Sequence, residues 1–168
     1  MMRCNYIIFI LFLLFLNSCL NYKSVKISSH NMEPTYNIGD VVIIDANNKI
    51  NFNNNDIIAY YMPVEFQHNG LLNDKKAVVI VRIIGSMGDK LFIRDDKLFL
   101  NEKLIDDAFS DYEEFIQNQM FINKVIENKY VIKENEYFIM GDNKNNSNDS
   151  RFFGPISKDI IIGKVIVK

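Results

Sequence analysis

From residue 41 onward the chain is a succession of short β-branched and aromatic runs punctuated by Gly, Pro, Asn and Asp, and this restricts it to a fold built mainly of strands. Val41-Val42-Ile43-Ile44 has the composition of a buried strand. Asp56-Ile57-Ile58-Ala59-Tyr60-Tyr61-Met62 is a second run, and it stops at Pro63, which has no N–H to give to a sheet ladder. Ala77 to Ile84 is almost continuously apolar with Arg82 set inside it, and it ends at Gly85 before a turn at Gly88-Asp89. Lys90 to Arg94 and Lys97 to Leu100 flank Asp95-Asp96 as the arms of a hairpin, although the favoured second residue, Gly, is an Asp here. Tyr130 to Met140 returns to strand character, and Ile160 to Val167 reads as a last strand split by Gly163. Asp106 to Asn128 is the exception. Phe109, Tyr112, Ile116 and Met120 recur three to four apart, the spacing of a short amphipathic helix. Within it Asp106-Asp107 and Glu113-Glu114 read as solvent-facing carboxylates, and Asn53-Asn54-Asn55 reads as a solvated loop.

With 168 residues, 48% of them hydrophobic and 24% charged, the chain has the material for one globular domain. Its formal charge of -2, with no Lys/Arg cluster, gives no electrostatic basis for binding DNA or RNA. Cys4 and Cys19 both lie near the N-terminus, so the rest of the chain can form neither a disulfide nor a Cys-based metal site. With two His residues and no acidic cluster beside them, no metal or other cofactor is expected. Residues 1–20 form a separate unit: Arg3 is followed by the unbroken apolar run Tyr6 to Leu16 and then Asn17-Ser18-Cys19. As a helix that run rises roughly 17 Å, against a hydrocarbon core of about 30 Å. It reads either as a signal peptide whose Leu16-Asn17-Ser18-Cys19 resembles a lipobox with Cys19 as the lipidated residue, or as a short uncleaved anchor that recruits Asn17 to Leu20. Both tether residues 21–168 to a membrane, and the signal-peptide reading places them outside the cytoplasm.

Two motifs carry more specific information. One is Ser29-His30-Asn31-Met32-Glu33-Pro34-Thr35, and the other is the box from Gly141 to Gly154, Gly-Asp-Asn-Lys-Asn-Asn-Ser-Asn-Asp-Ser-Arg-Phe-Phe-Gly. With Gly39, Asp40, Asp56, Pro63, Arg82, Gly85, Gly88, Asp89 and Gly163-Lys164 in the same order, they resemble the bacterial signal peptidase I family of membrane-bound serine endopeptidases. The resemblance implies antiparallel, twisted β-sheets of the signal peptidase I type over residues 21–168. It also implies a Ser nucleophile directly before Met-x-Pro-Thr and a Lys base directly before the Arg. At those two positions this chain has Asn31 and Val81. By the same resemblance Ser29 matches an oxyanion-hole hydroxyl, and Ser147 matches the residue that hydrogen-bonds the Lys. Asp142 and Asn143 shape the loop beneath the site, while Asp149, Arg151 and Arg82 form a charged cluster that braces two strands.

A Ser/Lys pair hydrolyses an amide by holding a hydroxyl against an amine that burial keeps neutral. A carboxamide at position 31 has no nucleophilic oxygen able to form and release an acyl-enzyme, and Val81 carries no base. Substitutes are scarce. Ser29 lies about 6 to 7 Å from the nucleophile site if the segment is extended. Lys76 has the wrong strand parity to replace Val81, and Lys75 is roughly 20 Å away along the strand. His30 points to the opposite face from Ser29, and His68 is in a loop. Two readings follow. In the first the chain is a pseudoenzyme that holds extended signal-peptide-like segments of exported proteins in a groove beside Val41 to Ile44 and Ala77 to Ile84, with the Asn31 amide donated to a bound carbonyl. In the second it is an active signal peptidase whose nucleophile has moved to Ser29. A self-cleaving repressor, which would share the chemistry, is disfavoured because no N-terminal DNA-binding helices are present.

Overall fold

The computed structural model describes residues 21–47, 51–63, 77–107, 119–127 and 130–167. The strands are β1 (Tyr22–Lys26), β2 (Val41–Asp45), β3 (Ile57–Met62), β4 (Ala77–Gly85), β5 (Lys90–Arg94), β6 (Lys97–Leu100), β7 (Lys103–Asp106), β8 (Tyr130–Val131), β9 (Glu136–Met140), β10 (Ile156–Ser157) and β11 (Ile161–Val167). Among the described residues two α-helices accompany them, α1 (Gln119–Ile126) and the single turn α2 (Ser150–Phe153). The larger sheet has the order β1-β2-β11-β3-β4-β9-β10 and the smaller β7-β6-β5-β8. Every strand pair is antiparallel. The fold is therefore the mainly β, antiparallel architecture that the run pattern requires.

The strand runs are apolar for different reasons. On β4, Ile80 packs with Met32, Val42 and Ala59 on one side of the large sheet, while Val81 and Ile83 pack with Ile58, Tyr60, Ile139 and Phe153 on the other. Both faces are covered, so the run needs no polar alternation. On β2, Val42 and Ile44 are fully buried but Val41 is 51% exposed, so in this strand full burial falls on alternate residues. The hairpin at Asp95-Asp96 forms as expected, with φ of 51° and 58°, the left-handed pair that a two-residue turn needs and that Asp tolerates better than most residues. The same device recurs at Asn101 and Glu102, φ 47° and 65°, and adds β7 in a stretch to which the residue pattern assigned no element up to Ile105. Gly163 marks a register shift in β11, where a Cβ would lie 2.1 Å from the carbonyl oxygen of Asp45.

The helical expectation survives in part. In α1, Phe121, Ile122 and Val125 enter the core of the small sheet with Leu91, Leu98 and Phe138, and the Phe121 ring meets Tyr130 edge-on at 4.8 Å. Phe109, Tyr112 and Ile116 fall outside the described residues, as do Glu113-Glu114, Lys75, Lys76, His68 and residues 1–20 with Cys4 and Cys19.

Two separate ion-pair groups, not one, tie the strands to the Gly141 to Gly154 box. Arg151 is wholly buried and donates from Nε to Asp149 (2.9 Å), from Nη1 to Asp106 (2.7 Å), and from Nη2 to both Asp149 (3.0 Å) and the carbonyl of Lys144 (2.7 Å). Asp149 also caps α2 and accepts from the Gly141 N–H at 3.0 Å. Asp106 is 1% exposed, which overturns its reading as a solvent-facing carboxylate: the Arg151 guanidinium, buried among these groups, draws it inward. Arg82 stands apart from this group. Its Nε and Nη2 form a two-pronged pair with Asp142 at 2.8 and 2.7 Å, and Nη1 donates to the carbonyl of Asn55. The Thr35 hydroxyl donates to the same Asp142 carboxylate at 2.5 Å, so one residue of the box fastens β4 and the turn after β1 together. Burial works against ionisation of Asp142, but Arg82 and Thr35 outweigh it and hold the carboxyl below its usual range.

Arg151→Met leaves two buried carboxylates without their cation and is expected to cost about 3–5 kcal/mol in urea unfolding. Asp142 has a folded pKa lowered relative to the unfolded chain, so its contribution to stability is full above the unfolded value of about 3.9 and is lost as pH falls through the folded value. Asp142→Asn is therefore expected to be less stable at neutral pH and to lose less stability between neutral pH and pH 3. Urea midpoints measured across that range check it.

Candidate functional site

The turn after β1 is fixed from below by Met32, which is fully buried beside Ile27, Val42 and Ile80. Backbone bonds from Tyr36 to Met32 (3.0 Å) and from Glu33 to His30 (3.2 Å) close it. This places Asn31, 7% exposed, against β4 and against the box. Its Nδ2 donates to the carbonyl of Ile80 at 2.7 Å, its Oδ1 accepts from the Ser29 hydroxyl at 2.6 Å, and its own carbonyl accepts from the Asn143 N–H at 2.9 Å. Asn143 Nδ2 donates to the carbonyl of His30, so the box grips the turn at two successive residues. A Cβ on Gly141 would lie 2.4 Å from Ser147 Oγ and 2.5 Å from the Asn31 carbonyl oxygen. No larger residue fits there without moving backbone, which accounts for a Gly at the start of the box.

The structure thus brings together Asn31, Ser29, Gly141, Asn143 and Ser147, with Asp142 and Arg82 forming the support beside them. Val81 follows Ile80 on β4 but is fully buried in the cluster of Ile58, Tyr60 and Ile139, so its side chain projects to the other side of the sheet from that of Ile80. Two hydroxyls stand out among the described residues: Ser147 Oγ and Tyr60 OH are buried with no hydrogen-bond partner. Burial pushes the Tyr60 hydroxyl well above its ordinary pKa, and the negative charge of Asp149 adds to this, so Tyr60 is a poor candidate for a base. Sequence reading passed over Tyr60. The stretch Ile57 to Met62 carries two hydroxyls, on Tyr60 and Tyr61, and nothing in the residue order marks which of them is buried.

Two expectations about Ser29 and Asn31 change. The separation of 6 to 7 Å assumed an extended strand, but residues 29–36 form bends and turns, and the two side chains touch. The Asn31 amide, expected to be available to a bound carbonyl, is given to Ile80. The Ser29 hydroxyl donates to a carboxamide oxygen, which cannot take its proton, and His30 bonds instead to Glu33 at 2.7 Å. Beyond Gly141 and Asp142, a cleft of about 610 Å³ runs between the two sheets, with Ile84, Leu100, Ile105 and Met140 among its lining residues. Among the described residues no three His, Cys, Asp or Glu side chains are grouped to hold a metal ion, and no helix is long and apolar enough to cross a membrane.

Comparison with known proteins agrees with the motifs. The family described as "Signal peptidase, peptidase S26" matches residues 2–168. Signal peptidase I U of Bacillus subtilis (strain 168) is 29% identical over 163 residues, covering 94% of this chain and 80% of that protein. Signal peptidase IB of Staphylococcus aureus (strain N315) is 34% identical over 95 residues, covering 51% of this chain and 50% of its own length, so this match spans about half of each. The crystal structure of a signal peptidase I from Enterococcus faecalis V583 is 25% identical and aligns with a TM-score of 0.43, over 70% of this chain and 98% of that one. Since the family match runs almost from end to end and includes both motifs that meet at Asn31, the chain belongs to the signal peptidase family, peptidase S26.

Proposed function

We propose that the chain is a membrane-tethered, proteolytically impaired signal peptidase I family protein that binds extended signal-peptide-like segments of exported proteins without cutting them. One observation carries the reading. The side chain directly before Met32-Glu33-Pro34-Thr35 is a carboxamide with both ends engaged, and the residue before Arg82 is a Val with no base to offer. In Ser hydrolases the loss of nucleophile or base lowers turnover on the order of a million-fold, and losing both is little worse, because the two act as a unit. The tether is residues 1–20, either through lipidated Cys19 or as a short anchor, and the β domain stands on the extracytoplasmic side. The ion-paired box supports this reading, since its bracing by Arg151 and Arg82 does not depend on catalysis.

The second reading, an active enzyme with Ser29 as nucleophile, has one observation in its favour: the Ser29 hydroxyl lies 2.6 Å from the side chain at position 31. It still needs a base, and the partner of that hydroxyl is not one.

Purified full-length protein in detergent is expected to leave a secretory precursor uncut, as seen by gel mobility and N-terminal sequencing. Site-specific cleavage that Ser29→Ala abolishes would establish the second reading. The double substitution Asn31→Ser with Val81→Lys is expected to recover part of the roughly million-fold that such a pair contributes, with Ser147 Oγ, now unpartnered, as the acceptor for the new amine. A folded double variant with no activity would show that the pocket no longer matches the family's chemistry.

A further inference from the structure

Among the described residues, the register of β4 leaves part of its backbone without a ladder. It pairs with β3 from Ala77 to Arg82, but with β9 only from Arg82 to Gly85. Ile83 directs both its N–H and its C=O toward the β3 side, to Asp56 and Asn55. In an antiparallel pair this direction alternates, so Val79 and Val81 also face β3, while Val78 and Ile80 turn their backbone groups the other way. On that other side no strand among the described residues pairs with them. The Ile80 carbonyl is satisfied by a side chain, Asn31 Nδ2, at 2.7 Å.

A primary carboxamide carries the same N–H donor as a peptide group, so Asn31 Nδ2 supplies the donor half of this rung as the N–H of an added strand would, while its Oδ1 accepts from Ser29 and not from β4. Its other end is held by the Ser29 hydroxyl at 2.6 Å, and its backbone by Asn143. Ser29, Asn31 and Ile80 therefore bridge the space between the turn after β1 and the free side of β4, in a place that is 93% shielded from solvent at Asn31 (7% exposed). The bridge satisfies an otherwise bare buried carbonyl.

We infer that Asn31 is a built-in competitor for the peptide groove: its carboxamide closes the free side of β4 by taking the Ile80 carbonyl, and an extended peptide enters only by displacing it. This rests on the peptide-binding reading above and adds how that site is gated. The amide of one bound residue replaces Asn31 Nδ2 on Ile80, and the displaced carboxamide swings out with Ser29 still attached. Asn31 thus has a cost for binding as well as a cost for catalysis, and a ligand is selected for its ability to supply an N–H at that rung.

The test is the Kd of a fluorescein-labelled synthetic signal peptide, with an apolar run and small residues at its cleavage end, for the full-length protein in detergent. Asn31→Ala is expected to bind roughly three- to tenfold more tightly than wild type, the worth of one competing hydrogen bond. Ser29→Ala, which frees the other end of the bridge without touching Ile80, shifts affinity the same way by less, and it keeps the test available if Asn31→Ala does not fold. Successive N-methylation along the peptide is expected to find one position at which the gain disappears. Equal affinity of wild type and both variants would overturn the gate while leaving the binding reading standing. Weaker binding by Asn31→Ala would also overturn it, by making the carboxamide part of the peptide contact. No saturable binding to any of the three proteins would overturn both.

Discussion

The arrangement depends on a buried guanidinium. Arg151 has no solvent to fall back on, so its N–H groups must be met inside the protein, and they are met by residues from three segments: Asp106 at the end of β7, Asp149 before α2, and the carbonyl of Lys144 in the loop between. Meeting them brings the small sheet and the box into one unit. Through Asp149 the same network reaches the Gly141 N–H, two residues before Asn143, which grips the turn that carries Asn31. Leaving one partner of such a group unpaired is far more costly than the group's net stabilisation, which makes it a fastening that tolerates little change.

The second fastening, between Arg82 and Asp142, is closer to the surface and has a different task. It sets the height of β4 relative to the box and, through Thr35, the position of the turn. Together the two groups hold the outline of the site through contacts that involve neither the Asn31 side chain nor Val81. Each motif residue engaged in them answers to a packing or electrostatic demand that exists whether or not an amide is ever cut. Asn31 and Val81 answer to local demands of their own, one satisfying the Ile80 carbonyl and the other filling an apolar cluster.

Much of this was legible in the residue order. Strands announced themselves wherever a β-branched run met a Gly, Pro or Asp pair, and the Asp95-Asp96 hairpin was readable despite lacking its Gly. The Asn101-Glu102 turn was not, because Glu is a poor advertisement for a left-handed backbone, and so β7 was missed. Asp106 was misread for a deeper reason: nothing near it in the chain signals a partner 45 residues away, and only the fold reveals that Arg151 needs a second carboxylate. Grouping Arg82 with Arg151 failed likewise, since similar charges in similar motifs carry no information on which acid each will meet. Val41 shows the limit of composition, which records that a run can be buried but not whether both faces are. At the site, the identities at positions 31 and 81 were visible at once, whereas the contact of Ser29 with Asn31 required knowing that the segment turns.

The burial of Val81 has an evolutionary consequence. A Lys at that position must shed its hydration among Ile58, Tyr60 and Ile139 and lose its charge, which lowers the stability of any fold that carries it. A Val there removes that burden and adds apolar packing. The two exchanges are therefore unequal in direction. The step away from catalysis is downhill for folding, and the step back is uphill and yields nothing until position 31 changes as well. On the proposed reading, a return to a Ser/Lys pair would therefore be opposed by the packing of the core around position 81.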